Sequence, residues 1–274
     1  METKEFWEAH KMFKTKLKEG NIDDARRLLY RMTQLYPRIT DNDLLGNKAI
    51  IHDALGLDKV IVNFNLAYFV PYAIRLADSA WEGVSHNGHV IPSLGQRITN
   101  RLMNGIASRP EEYVRGVMPF FRKALQQNPS NKDNLRHLAQ LYARVKLKSQ
   151  AIAIYKKLLQ RHQDSYLYAE MAELTADAQD RVALLCMAIV KQPKESYNMA
   201  NRYHLAELLH LTEPTRAAYE IRKSIAARKK AGQAIPADVD RIARMLSEYT
   251  PVTEAEQKLF YEKQKPRAKR AIET

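Results

Sequence analysis

The chain has 274 residues and a formal net charge of +13, from 44 Lys and Arg against 31 Asp and Glu. With only 9 Gly, 11 Pro and a single cysteine, Cys186, it cannot form an intramolecular disulfide framework, and its composition is that of helices with short connections rather than strands and turns. The basic balance favours acidic partners, such as nucleic acid or acidic peptide segments.

In chain order, Met1 to Trp7 lacks the apolar stretch of a secretory signal, which predicts a cytoplasmic setting. Phe13, Gly20, Ala25, Leu29, Met32 and Pro37 then space out two helices, with Gly20-Asn21 as the turn between them. Residues 38 to 110 are broken by Asp41-Asn42-Asp43, Gly56, Pro71, His86-Asn87-Gly88 and Arg109-Pro110, and irregular helices are predicted there. The most apolar window, Val60 to Ala77, contains Asn63, Asn65, Pro71 and Arg75. It falls short of the about 20 clean residues of a membrane span and reads as buried helix. His86 and His89 have no Cys or acidic residue close enough to complete a metal set, so a solvated turn is expected and no metal or other cofactor.

From Glu111 onward an internal period sets in. Ala139 and Ala151 lie twelve residues apart in two amphipathic stretches, and Ala172 with Leu184 and Ala206 with Ala218 repeat the spacing. The second members, Val117, Ala151, Leu184 and Ala218, advance by 34, 33 and 34 residues. Two antiparallel helices need a small residue on each where they approach most closely, so Ala139 and Ala151 are expected to face each other in one hairpin. The apolar run Val182 to Val190 belongs to a helix covered on both sides, with Cys186 as a buried, inert thiol.

Through Leu138, Ala139, Tyr142, Ala151 and Tyr155, the segment Leu135 to Arg161 resembles a tetratricopeptide repeat, although Gln163 stands where that family's closing proline is usual. The N-terminal segment resembles a second copy and departs from it at Lys16, where an aromatic is expected, as a capping repeat would. The resemblance covers the N-terminal 37 residues and Glu111 to about Lys230. Ile221 to Pro236 further resembles the last helix and turn of a tetratricopeptide region in bacterial multidomain proteins, some of predicted conflict systems, in which an OB-fold or cold-shock-like domain often follows. The residues after Pro236 are too few to hold one. The implied fold is all-α: an α-solenoid of about six antiparallel hairpins over residues 1–250, irregular in 38–110, followed by a short helix and a basic, flexible tail in 251–274.

In such arrays the first helix of each hairpin lines a concave groove, and its non-core positions touch the ligand. Arg136, Gln140 and Arg144 follow at i, i+4 and i+8 and form one polar stripe; Tyr203, Glu207 and His210 form another. Arg136 and Arg144 suit a carboxylate or a phosphate. A second set is cationic: Arg222, Lys223, Lys229 and Lys230 share a helix face opposite Ile221 and Ile225, and Lys263, Lys265, Arg267, Lys269 and Arg270 form an acid-free run around Pro266. Thr253-x-x-Glu256 has the form of a capping box before Leu259, Phe260 and Tyr261. No Gly-rich phosphate loop, nucleophile elbow or zinc-protease pattern occurs, so no catalytic residue is assigned and the chain is read as a non-enzyme. Two readings stay open: a scaffold whose groove receives a peptide or helix from a protein partner, and a nucleic-acid-associated module whose C-terminal cations contact phosphates.

Overall fold

The computed structural model describes residues 1–41, 44–86 and 89–273. Among these residues the chain is all-α apart from one small ribbon, and its contacts divide it into two compact units, Met1–Lys146 and Leu147–Thr274. The break coincides with Lys146, which takes the left-handed conformation at φ 62°. Both units are stacks of antiparallel helical hairpins, the local architecture of an α-solenoid. The sequence periodicity gave no sign of a break there.

The first unit contains α1 (Glu2–Lys18), α2 (Ile22–Leu35), α3 (Leu45–Asp58), α4 (Val70–Ala73), the strands β1 (Val84–His86) and β2 (His89–Ile91), α5 (Leu94–Met103), α6 (Glu111–Gln127) and α7 (Lys132–Arg144). Gly20 supplies the α1–α2 turn at φ 75°, and the Asn21 side chain accepts from the Asp24 N–H to start α2. Phe6, Phe13, Leu29 and Met32 close that hairpin, and Ile50, Leu57 and Phe69 carry the core onward through α3 into the irregular stretch. In place of a simple turn, β1 and β2 pair antiparallel with His86 opposite His89. The two residues between them, Asn87 and Gly88, lie outside the described residues, as do Asn42 and Asp43.

The second unit contains α8 (Lys148–Leu159), α9 (Ser165–Leu174), α10 (Ala178–Lys191), α11 (Glu195–Leu209), α12 (Pro214–Lys230), α13 (Ala237–Met245) and α14 (Glu254–Glu273). Pairs α9–α10 and α11–α12 are the hairpins that the period predicts, and α10 packs on α11 between them. Val117, Ala151, Leu184 and Ala218, the positions that mark the period, are all buried, as are Ala139, Ala172 and Ala206. Eight residues of α10 from Val182 to Ile189 are buried in succession, because α9, α11 and α14 all cover it; Cys186 is fully buried among them.

The segment expected to be a short helix and a flexible tail is instead the 20-residue α14. Thr253 and Glu256 form the reciprocal cap, with the Thr253 N–H on Glu256 Oε2 at 2.8 Å and the Glu256 N–H on Thr253 Oγ1 at 3.3 Å. Gln257, Phe260, Tyr261, Ala268 and Ile272 are buried along one side of the helix against α10 and its neighbours. Pro266 sits inside the helix, where its lost hydrogen bond is outweighed by that packing.

Candidate functional site

In the first unit, α1 and α3 lie side by side with α2 packed behind both. Phe6, Ala9 and Phe13 are buried, while Trp7, His10, Lys14 and Leu17 follow at helical steps along the flank that meets α3. From α3, Leu45, Lys48, Ala49, His52, Asp53 and Gly56 complete an open crevice of about 600 Å³. Small residues form its floor on the α3 side. At Gly56 an added Cβ would come within 3.1 Å of Leu17 Cδ2, so a larger residue would push into the α1–α3 contact.

The crevice is apolar inside and cationic at its edge. Trp7 and Leu45 are exposed there, at 37% and 50%. His10 Nδ1 lies 2.7 Å from Asp53 Oδ2, and Asp53 is only 3% exposed. Burial pushes the Asp53 carboxyl above the usual range, and the hydrogen bond from His10 opposes that shift. His52 is held below the usual imidazole range, first by burial and then by the charges of Arg97, Lys48, Lys14 and His10. Those cations therefore share one neighbourhood. Among the described residues Lys14, Lys48 and Arg97 have no ion-pair partner, and Asp53 is already engaged by His10. No Ser, Thr or Cys stands among the described lining residues, so the His10–Asp53 pair has no hydroxyl or thiol to activate. The arrangement suits holding an apolar side chain flanked by carboxylates.

Neither sequence-predicted groove stripe includes this crevice. Arg136 and Gln140 are half-buried on α7, and Arg144 is exposed with its guanidinium donating to the Arg109 carbonyl at 3.0 Å. The other stripe lies on α11, in the second unit. Tyr203, read from the sequence as a non-core groove position, is only 8% exposed: its hydroxyl donates to Glu207 Oε1 at 3.1 Å. Burial, the Glu207 hydrogen bond and Asp238 at the start of α13 push that phenol up to about 12. His210 Nδ1 donates to the Glu207 carbonyl at 2.7 Å, so the stripe bonds largely to itself.

Most of the predicted phosphate-contacting cations are engaged within the second unit. Arg267 binds Asp180 at 2.7 Å and Asp177 at 2.8 Å, and Asp177 also caps α10. Lys265 pairs with Glu262, Lys269 with Glu273, Lys223 with Glu254, and Arg222 donates to the Tyr249 carbonyl. Lys229, Lys230 and Lys263 are exposed, without an ion pair among the described residues; Arg270 is exposed and has an interaction of its own.

A buried polar network escaped the sequence reading. The Arg202 guanidinium, 4% exposed, clamps Glu195 through two bonds of 2.7 Å and gives Nη1 to Glu220 Oε2 at 2.6 Å and to the Tyr261 hydroxyl at 3.0 Å. Gln257 adds a bond of 2.6 Å to Glu220 Oε1, which also takes the Tyr261 hydroxyl. The network ties α14 to α11 and α12; Arg202, Glu220, Gln257 and Tyr261 are buried in it, and only Glu195 reaches solvent.

A family model described as a domain of unknown function (DUF7017) matches residues 136–268, slightly under half of the chain. No curated protein matches. Among solved structures, the chain is similar to one described as the crystal structure of MamA protein, with a TM-score of 0.43 and 20% identity over 64% of this chain and 90% of that one. A second, described as the crystal structure of MamA, has a TM-score of 0.39 and 19% identity over 57% of this chain and 97% of that one. Among the described residues no helix is long and apolar enough to cross a membrane, and no group of three or more His, Cys, Asp or Glu is placed to hold a metal ion.

Proposed function

We propose that this chain is a non-catalytic, cytoplasmic interaction scaffold that receives a segment of a protein partner, with the α1–α3 crevice as a principal contact. The observation that carries this reading is the crevice itself: an open apolar floor beside Lys14, Lys48 and Arg97, none of which forms an ion pair among the described residues. A segment with one large apolar side chain and neighbouring carboxylates fits it, the side chain leaving water and the carboxylates meeting Lys14, Lys48 and Arg97. Arg136, Gln140 and Arg144 on α7, and the partly exposed Glu207 and His210 on α11, are further contact candidates.

A photo-crosslinking residue at Trp7 or at His52 should yield a discrete adduct with the partner, and Ala49→Arg, which fills the floor, should abolish it. Equal adduct yields from the crevice and from exposed Met12 on the other side of α1 would sink the assignment. Nucleic-acid association through α12 and α14 is less well supported, since Lys223, Lys265, Arg267 and Lys269 already have acidic partners. It would show as affinity for single-stranded nucleic acid that falls steeply with salt and flattens when Lys229, Lys230 and Lys263 are neutralised.

A further inference from the structure

The second unit holds a second cavity that neither the predicted groove nor the partner reading uses. After α14 leaves the Arg202–Glu220 network, Arg267 fastens it to the start of α10, and its last two turns run beside the end of α10. There α14, α10, the end of α8 and the first turn of α9 enclose a crevice of about 520 Å³, within the size range of small-molecule sites. Its walls are apolar: Leu159, Met187, Ala268 and Ile272 are each under a tenth exposed, while Val190, at 40%, opens it to solvent.

Two polar features are out of place in such a cavity. Tyr168 lines it at 4% exposure, yet among the described residues its hydroxyl makes no hydrogen bond, and burial alone pushes the phenol up. The hydroxyl therefore keeps its proton and stands in the crevice wall as a donor with no acceptor from the described residues. Lys191 stands at the edge with only a neutral partner, Gln163 Oε1 at 2.5 Å, and Lys269 reaches its acid, Glu273, only at 3.7 Å. One hydrogen-bond donor and two weakly compensated ammonium groups thus surround an apolar space.

We infer that this crevice binds a small anionic amphiphile, a monocarboxylate on an aliphatic or aromatic body, with the body against Met187, Val190 and Ile272 and the carboxylate held by Lys191, Lys269 and the Tyr168 hydroxyl. The body removes apolar wall from water, and the carboxylate supplies the acceptor that Tyr168 lacks. The inference is independent of the partner reading, which rests on a different unit.

Calorimetric titration of the full chain with decanoate, decanol and decyltrimethylammonium tests it. Decanoate should bind saturably at one equivalent, and decanol and the cation at least about tenfold more weakly. Lys191→Gln should weaken decanoate binding by about tenfold, and Tyr168→Phe by several-fold, with unchanged melting curves. Val190→Trp should block binding outright, whereas Ala49→Arg in the first unit should leave it untouched. The inference is overturned if decanoate does not saturate, if decanol binds as tightly, if the Lys191 and Val190 variants bind normally, or if Ala49→Arg removes the binding.

Discussion

At the scale of single residues, Arg202 is the side chain on which most depends. Replacing it with Leu strands Glu220, which is fully buried, without its cation, and should cost about 3 to 5 kcal/mol by denaturant unfolding. Arg267→Ala removes two solvent-screened ion pairs, to Asp177 and Asp180, and should cost far less in the same measurement. Asp177 gives a pH-dependent contrast. The backbone N–H of Asp180, and then Arg267, hold its carboxyl below its ordinary value of 3.8. A depressed folded pKa contributes stability above the unfolded value and loses it as pH falls through the folded one. The wild type should therefore lose more thermal stability between about pH 5 and about pH 3 than Asp177→Asn, which keeps the cap but cannot titrate. Equal acid slopes would remove Asp177 from that role.

Among the elements, those with a repeating small-residue pattern were legible in the sequence. Ala206 and Ala218 announced α11 and α12 because only small side chains let two helices approach closely, and both are buried as expected. Ala218→Leu should overpack that hairpin and cost about 1 to 3 kcal/mol in a denaturant melt. The start of α14 was legible in its capping box, but its length was hidden for a physical reason: its buried positions are diluted by Lys, Arg and Glu, and Pro266 in mid-segment reads as a breaker. Its docking rests on tertiary contacts, above all Tyr261 and Gln257 with Glu220. Deleting residues 254–274 should therefore lower the thermal midpoint of the second unit by several degrees and open α10 to proteolysis, where loss of a free tail would change neither. The α1–α3 crevice was illegible because Trp7 and His52 belong to one surface only after folding, and residues 38–110 carry no period to anticipate it.

For the whole molecule, the +13 charge is less informative than where its uncompensated part lies. In the C-terminal region much of the basic density is spent on holding helices together, whereas Lys14, Lys48 and Arg97 gather without an ion pair beside an apolar crevice whose acid, Asp53, is buried and bonded to His10. Lys14→Glu with Lys48→Glu should weaken an acidic partner by about tenfold or more at low salt and by much less at high salt, measured as affinity against ionic strength. An equal loss at both salts would mean that the crevice works by packing alone.

The complete burial of the chain's single cysteine makes α10 a built-in clock. Burial raises the Cys186 thiol well above its ordinary range, so a thiol reagent finds neither access nor thiolate while the helix stays covered. The rate of labelling in the native protein then counts how often the second unit breathes open, with no engineered reporter. Ligands or partners that tighten α14 on α10 should slow that clock, and Arg202→Leu should speed it, even where the static fold is unchanged.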